Sequence, residues 1–378
     1  MKVPFYRHDL GPGDAASIAS VLATPYLTSG EVGRRVEAEL CTFFGVPHAA
    51  LVNSWTNGAV AVLLALGIGP GDEVIVPAMT FIASANVVEL VGAKPVFVDV
   101  DADTLNLTAA AVKAAVTART RAIIPVHLYG QMCDVRAMRD AVGPGIAIVE
   151  DAAHSFESSF NGDLPGTHSD AAIFSFYATK NVTCGEGGAI VTRRGDLHQT
   201  VLQTRLHGMS AGAVDRFSRD RYRHWDMLRL GTKANLPDLL AALLPAQIAT
   251  VRSRLARREE IARRYERAFA GNVIRLARVL PGSVSARHLF PIHVPVHIRD
   301  RALQALNENG IATTVNYRSV PTLTYYREKY GYGPEDFPVS YEWGEGTITL
   351  PLYPSLTGEE QNAVISAVLE TVVPMVGE

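Results

Sequence analysis

The sequence predicts an α/β protein: a large domain on a mainly parallel sheet flanked by helices, followed by a small C-terminal α+β domain. Three observations carry this expectation. Short apolar runs alternate with helical stretches of about ten residues between Ala49 and Val126, the pattern of strands joined by crossover helices. Polar residues cluster where apolar runs end, at Ser54, Asp151 and Lys180, and ligands of such sheets sit at the carboxyl ends of the strands. A long charged helix, Pro245 to Ala270, then leads into a region with a different element order. The expected domains are 1–245 and 246–378.

Taken in order, Gly11-Pro12-Gly13 makes a turn, and Asp14 caps a helix to Leu22. Tyr26-Leu27-Thr28-Ser29-Gly30 is a polar loop. Val32 to Phe44 is amphipathic, with Val36, Leu40, Phe43 and Phe44 on one side. Ala49 to Val52 is a strand. Asn53 to Gly58 breaks it, and a helix runs from Ala59 to Leu66. A strand, a small polar turn and a helix start offer free N–H groups and a positive dipole end to an anion. A ligand-free helix cap is the plainer alternative. Further strands are expected at Val74–Pro77, Val96–Val100 and Ala122–Val126, with helices at Ala83–Val91 and Thr108–Val116.

The chemistry concentrates between Ile146 and Thr192. The run Ile146–Val149 ends in Glu150, Asp151 and, three residues on, His154. Ala171–Phe174 and Ala189–Thr192 read as buried strands enclosing Ser175, Lys180 and a glycine cluster. A lysine between two buried strands must be paired or neutralised. Desolvation lowers its pKa and frees the amine to form an imine. The alternative is a lysine that reaches solvent from a strand end. Asp151, Lys180 and Ser175 are the parts that pyridoxal phosphate (PLP) needs: a carboxylate for its pyridine nitrogen, an amine for its aldehyde and a hydroxyl for its phosphate. His127 and His154 have no further ligands at metal spacing, so no metal is expected.

Leu206 to Leu230 is polar, basic and aromatic, with His207, Arg216, Arg219, Arg221, Arg223, His224 and Trp225. Segments of this length without periodicity are usually functional or mobile. Gly231-Thr232-Lys233-Ala234-Asn235 then leads into Leu236–Leu244. The arginines of Pro245–Ala270 are interleaved with Glu259, Glu260 and Glu266, the pattern of a solvated face. The C-terminal layer is expected to hold strands Leu289–Val296 and Thr313–Val315 and helices Asp300–Asn309 and Glu359–Val373.

A net charge of −3 argues against nucleic acid or an anionic membrane surface as partner. No apolar run reaches the roughly 18 residues of a membrane span. Cys41, Cys133 and Cys184 are odd in number and widely spaced, which fits a reducing, cytoplasmic setting.

FSFYATKNVTCGEGGAIVT (174–192), preceded by VEDAAHSFES (149–158), resembles the DegT/StrS-type sugar aminotransferases. Residues 71–101, 123–134, 230–247 and 348–357 are similar to the same family in the same order. The resemblance implies a fold-type I PLP enzyme that aminates nucleotide-linked keto sugars, with glutamate as donor. It implies that Lys180 is the catalytic lysine and that Asp151 supports the pyridinium. Ser54, Trp55, Thr56 and Ser175 surround the phosphate, and Trp55 stands where relatives carry Gly or Ala. Phe81 stacks on the ring and His154 bonds its phenolic oxygen. Asn235 reaches the partner's phosphate in a homodimer, a role Lys233 could share. Thr28, Tyr317 and Arg318 fall to the substrate. Asn316 and Pro321 stand where many C4-aminating relatives have histidines. The segment His207–Asp226 still resembles relatives that aminate C4 of UDP- or dTDP-linked sugars. A C3-aminating enzyme and a non-catalytic regulator on this fold are the alternatives; a sugar dehydratase of the family usually carries histidine in place of Lys180.

Overall fold

A computed structural model describes residues 1–210 and 224–376. Most of the basic excursion expected before Leu230, including Arg216, Arg219, Arg221 and Arg223, lies outside the described residues. Helices α1 (Pro12–Leu22) and α2 (Glu31–Phe44) lead into β1 (His48–Val52) and α3 (Trp55–Ala65). Then come β2 (Glu73–Pro77), α4 (Ala83–Leu90), β3 (Lys94–Val98), α5 (Ala109–Ala115), β4 (Thr120–Ile123), α6 (Val135–Val142) and β5 (Ala147–Asp151). The two-residue β6 (Ser159–Phe160) precedes β7 (Ala171–Ser175), β8 (Gly188–Thr192) and α7 (Gly195–Thr204).

The expected sheet is present, with seven strands in the order β1-β8-β7-β5-β4-β2-β3. Strands β7, β5, β4, β2 and β3 pair in parallel. β8 runs antiparallel to both its neighbours, β7 and β1. This reversal has a direct consequence: β7 and β8 are joined by a loop at one end of the sheet, and Lys180 rides on it. β2 is buried along its whole length and β5 from Ile148 to Asp151, as parallel strands covered on both faces must be.

Several element bounds differ from the sequence expectation: β3 and β4 each start two residues earlier, at Lys94 and Thr120, and two helices start earlier for a visible local reason. α1 begins at Pro12, and Asp14 acts from inside the first turn, its carboxylate accepting the Gly11 N–H at 2.8 Å. Proline at the first helical position lacks only an N–H that would be unpaired anyway. α3 begins at Trp55, four residues before the expected Ala59, because Ser54 caps it by accepting the Asn57 N–H at 3.1 Å.

The C-terminal part contains α8 (Asp238–Ala241), α9 (Leu244–Phe269), β9 (Ser283–Val284), β10 (Phe290–His293), α10 (Arg299–Glu308), α11 (Thr324–Tyr330), α12 (Pro338–Gly346), β11 (Thr347–Leu350) and α13 (Gly358–Ala367). β10 and β11 form an antiparallel pair. The expected strand at Thr313–Val315 is a single bridge from Thr314 to Thr349, and the expected helix to Val373 passes into a π turn at Val368–Val372. Helix α9 is common to both layers: Leu244, Ile248 and Val251 pack with the β7–β8 side of the large sheet, while Ile261, Tyr265 and Phe269 pack with β10, β11 and α13.

One buried ion pair ties α9 to the large sheet. Arg258 and Glu157 are in contact and almost fully enclosed. The Arg258 Nε also donates to the Ala286 carbonyl at 3.0 Å. Burial pushes the guanidinium pKa down to about 9, so the charged form depends on its carboxylate partner. Removing one member of such a pair typically costs about 3–5 kcal/mol, whereas an apolar pair in its place is often neutral. Glu157→Leu should therefore lower the unfolding midpoint strongly, and Glu157→Leu with Arg258→Met should recover most of the loss. Denaturant titration of both variants checks this; a double variant as weak as the single one would show that the charge pair is not what joins the layers.

Candidate active site

Three chain segments meet at the carboxyl end of the sheet. The first is the cap of α3. A helix start leaves N–H groups without intrahelical partners, and Ser54 satisfies only that of Asn57. Gly188 lets this turn sit against β8: a Cβ there would lie 3.0 Å from the Trp55 nitrogen and 2.6 Å from the Phe174 carbonyl oxygen. Thr56 stands in the first turn of α3, and the buried indole nitrogen of Trp55 has no hydrogen-bond partner among the described residues. Ser175 closes β7, its hydroxyl accepting the Tyr177 N–H at 3.3 Å.

The second segment is the end of β5. Asp151 is buried; its carboxylate accepts the Ser84 hydroxyl at 2.8 Å and the Ala153 N–H at 3.1 Å. Burial pushes this carboxyl above its usual range, while the two donors and the nearby Lys180 pull it back. Thr80 bonds Ser84 in turn, at 2.9 Å. These donors orient the carboxylate, and a cation in direct contact would stabilise its charge further.

The third segment is the loop from Phe176 to Gly187. Its ends close on each other through Phe176 N–H to Gly187 O and Cys184 N–H to Phe176 O. Gln247 of α9 holds it by accepting the Thr183 N–H at 3.0 Å and donating to the Thr183 carbonyl at 2.7 Å. Lys180, partly buried, has its Nζ 3.5 Å from His288 Nε2. Burial lowers its pKa to about 8, against a smaller upward pull from Asp151. Neutral amine is therefore accessible near physiological pH.

His154 is buried beside Lys180, and burial drives its pKa well below the usual value. The Tyr129 N–H donates to its Nδ1 at 3.3 Å, so the neutral ring carries its proton on Nε2, which lies 3.3 Å from the Tyr317 hydroxyl. The Tyr317 ring is nearly parallel to that of His154, with centroids 5.9 Å apart, and Phe81 approaches Tyr317 at the same distance. Phe81 is 55% exposed, which suits an aromatic meant for a ligand better than one meant for the core.

Other candidates stand elsewhere. The exposed Thr28 uses its carbonyl to accept the Asp238 N–H. Asn235 donates to Ser29 at 2.9 Å, its backbone bridges Val52 of the same chain, and its buried Oδ1 has no partner among the described residues. Arg318 donates to Glu345 at 2.8 Å and is half exposed. His127 bonds Glu150 at 2.6 Å and accepts the Cys133 N–H, a buried structural arrangement. Among the described residues no cluster of side chains could hold a metal ion. Ser84, Tyr129, Asn181 and His288 belong to the site and were not found from sequence. Asn181 adjoins Lys180 and could have been found by asking what fixes the lysine; His288, 108 residues further on, gave no local signal.

These residues fit PLP on three counts: a lysine whose amine is neutral at accessible pH, a buried, oriented carboxylate able to face a cationic ring nitrogen, and a capped helix start opened by a glycine. The comparisons agree. The model of the DegT/DnrJ/EryC1/StrS aminotransferase family matches residues 9–369. A protein of Streptococcus pneumoniae assigned as a sugar aminotransferase, solved in a pyridoxamine-phosphate form, is 31% identical, with a TM-score of 0.93 over 99% of this chain and 100% of that one. DesV of S. venezuelae, solved with a ketimine intermediate, is 33% identical, with a TM-score of 0.88 over 97% and 98%. PseC of Helicobacter pylori, an aminotransferase in pseudoaminic acid biosynthesis, is 26% identical, with a TM-score of 0.90 over 98% and 99%.

The low Lys180 pKa makes a stability prediction. Between about 8 and the ordinary value of 10.5 the unfolded chain binds more protons than the folded one, so stability rises with pH across that window. Below it the folded state carries the full cost of a poorly solvated ammonium. Lys180→Met should therefore stabilise the cofactor-free protein at pH 7, by about 2 kcal/mol after allowing for partial solvent screening. The gain should shrink as pH rises from 8 to 10.5. Melting curves across that range check it; a gain independent of pH would place the effect in packing.

Proposed function

The chain belongs to the DegT/DnrJ/EryC1/StrS aminotransferase family, whose members depend on PLP, and from that premise we propose that it moves an amino group from an amino acid, glutamate by preference, to C4 of a UDP- or dTDP-linked 4-keto sugar. The observation that carries the reading is the juxtaposition of a low-pKa Lys180, a buried Asp151 and the capped start of α3 at one end of the sheet. The sugar class draws support from the neighbours, and C4 from the resemblance of His207–Asp226.

Bound PLP supplies an electrophilic carbon that carries the amino group between substrates and a ring that holds the electrons released when a C–H bond breaks. The chain's residues do the rest. The N–H groups at the start of α3, with Ser54, Thr56 and Ser175, would hold the phosphate dianion at the positive end of the helix. Asp151 would keep the pyridine nitrogen protonated, since a buried carboxylate stabilises a cation far better than solvent does. Lys180 would hold the aldehyde at rest and, once displaced, move the proton between carbons, a task that a pKa of about 8 suits. His154, fixed as an Nε2–H donor by Tyr129, would offer that proton to the ring's phenolic oxygen. Phe81 and Tyr317 would bound the ring on its open side. Arg318 would reach substrate phosphate only by giving up Glu345.

The test is a panel of nucleotide-linked 4-keto and 3-keto sugars with glutamate as donor, the products placed by mass and NMR. Amination at C4 is expected. Amination only at C3, or none while glutamate is still converted to 2-oxoglutarate, overturns the assignment.

Asn235 is the residue we propose to act across a homodimer, completing the phosphate site of the partner protomer. Its Oδ1 lacks a partner, whereas its backbone lies beside Val52 of its own chain, so both placements are physically open. Mixing inactive Lys180→Ala and Asn235→Asp protomers under exchange should restore one of two sites and hence partial activity. No recovery despite proven mixed dimers would place Asn235 in its own protomer's site.

A further inference from the structure

Lys180 has a second neighbour that the reaction scheme above leaves unused. His288 lies after β9, is 6% exposed, and stacks obliquely on His154 with ring centroids 4.4 Å apart. Its Nε2 is 3.5 Å from Lys180 Nζ and its Nδ1 is 3.1 Å from Asn181 Oδ1. The orientation of the Asn181 amide is forced. Its Nδ2 faces Glu157 Oε1 at 3.0 Å and the Ala286 carbonyl at 3.1 Å, and neither carries a proton, so Nδ2 must be the donor end. Oδ1 then faces His288 as an acceptor, and His288 must place its proton on Nδ1. That leaves Nε2 bare, its lone pair aimed at the lysine.

We propose that His288 is a positioning residue for Lys180: a neutral histidine, locked by Asn181 in the Nδ1–H form, whose Nε2 accepts a hydrogen bond from Nζ and holds the amine in place. The proposal rests on the reading of Lys180 as the cofactor lysine. The charged and titratable groups around the pair point the same way. Burial first, then Lys180 and the guanidinium of Arg258, disfavour an imidazolium at His288, and Glu157 is already engaged by Arg258 and Asn181. His154 beside it is neutral and carries the opposite tautomer, Nε2–H, set by the Tyr129 amide. Tyr317 bonds His154, and Asp151 acts on Lys180 from the sheet side. The two stacked histidines thus present an acceptor and a donor, neither of them charged. A 3.5 Å separation is long for a hydrogen bond, as such contacts often are before substrates and cofactor tighten the site.

Neutron diffraction from crystals of the full-length, cofactor-free protein reads the protons directly. Deuterium on His288 Nδ1 and none on Nε2 is expected; deuterium on Nε2 of a neutral His288 overturns the proposal. The second measurement is the pH dependence of Lys180 labelling by a neutral amine reagent, read by peptide mass spectrometry. His288→Phe keeps a ring but offers the ammonium no acceptor, so the Lys180 pKa should fall by about one unit and labelling at pH 7 should rise roughly fivefold. His288→Gln, with a carbonyl able to face Nζ, should return the titration toward wild type. A Lys180 titration unchanged in His288→Phe sinks the proposal. If that variant does not fold, the proton positions in the unmodified protein still decide it. Borohydride fixation of pyridoxal phosphate on wild-type Lys180 is scored separately; its failure would remove the proposed function and leave the tautomer result standing.

Discussion

The contact between Glu157 and Arg258 is the constraint on which the site depends. Two opposite charges without solvent persist only if each keeps the other. Glu157 Oε1 also accepts from Asn181 and Arg258 Nε also donates to Ala286, while Glu157 Oε2 has no hydrogen-bond partner among the described residues. Those secondary bonds place the amide next to Lys180 and fix the segment after β9 that carries His288. A pair that reads as a structural link between α9 and the sheet thus fixes the surroundings of the reactive amine. Buried pairs are often no better for stability than apolar ones, so its use here is geometric.

The same logic governs protonation throughout the site. Burial disfavours charge on Lys180, His154 and His288 alike: it brings the lysine's pKa down to about 8 and keeps both imidazoles neutral. Neutral groups are directional: a lone pair or an N–H must point somewhere. Backbone amides and carbonyls, which cannot change their protonation, decide where. Tyr129 sets His154, and Ala286 helps to set Asn181 and through it His288. Asp151 is the acidic member, its carboxyl pushed up by burial and pulled back by the Ser84 hydroxyl, the Ala153 N–H and Lys180.

Residues assigned to the substrate present a different picture from those assigned to the cofactor. Asp151, His154 and Lys180 are enclosed or half-buried and held by neighbours, with Phe81 the exposed member of the cofactor group. Arg318 and Thr28 lie toward solvent, and Arg318 is engaged by Glu345, which also attracts Arg299. A site that keeps its chemistry fixed while its recognition residues sit at an exposed rim can change sugar without rebuilding the sheet. Asn235 stands between the two groups, tied by its backbone to the strand before Ser54 and by its side chain to the loop that contains Thr28.

Much of this was legible in the sequence because it is local. Strand ends show as apolar runs stopped by polar residues, so Ser54, Asp151 and Lys180 could be placed on one rim before any coordinates. The early start of α3 was missed because its first turn, Trp55-Thr56-Asn57, has no apolar period; only the bond from Ser54 reveals it. The bridge at Thr314 was read as a strand because its β-branched residues favour extended backbone, yet they meet β11 at one point alone. The sequence by itself determined which residue types lie at the sheet's carboxyl end, since chain direction and strand length settle that. Tertiary structure alone decided that His288 faces Lys180, that Asn181 and Tyr129 set opposite tautomers on two histidines, and that Arg258 reaches Glu157. Those contacts join residues about a hundred positions apart or depend on which atom of a side chain bears a proton, and no periodicity records either.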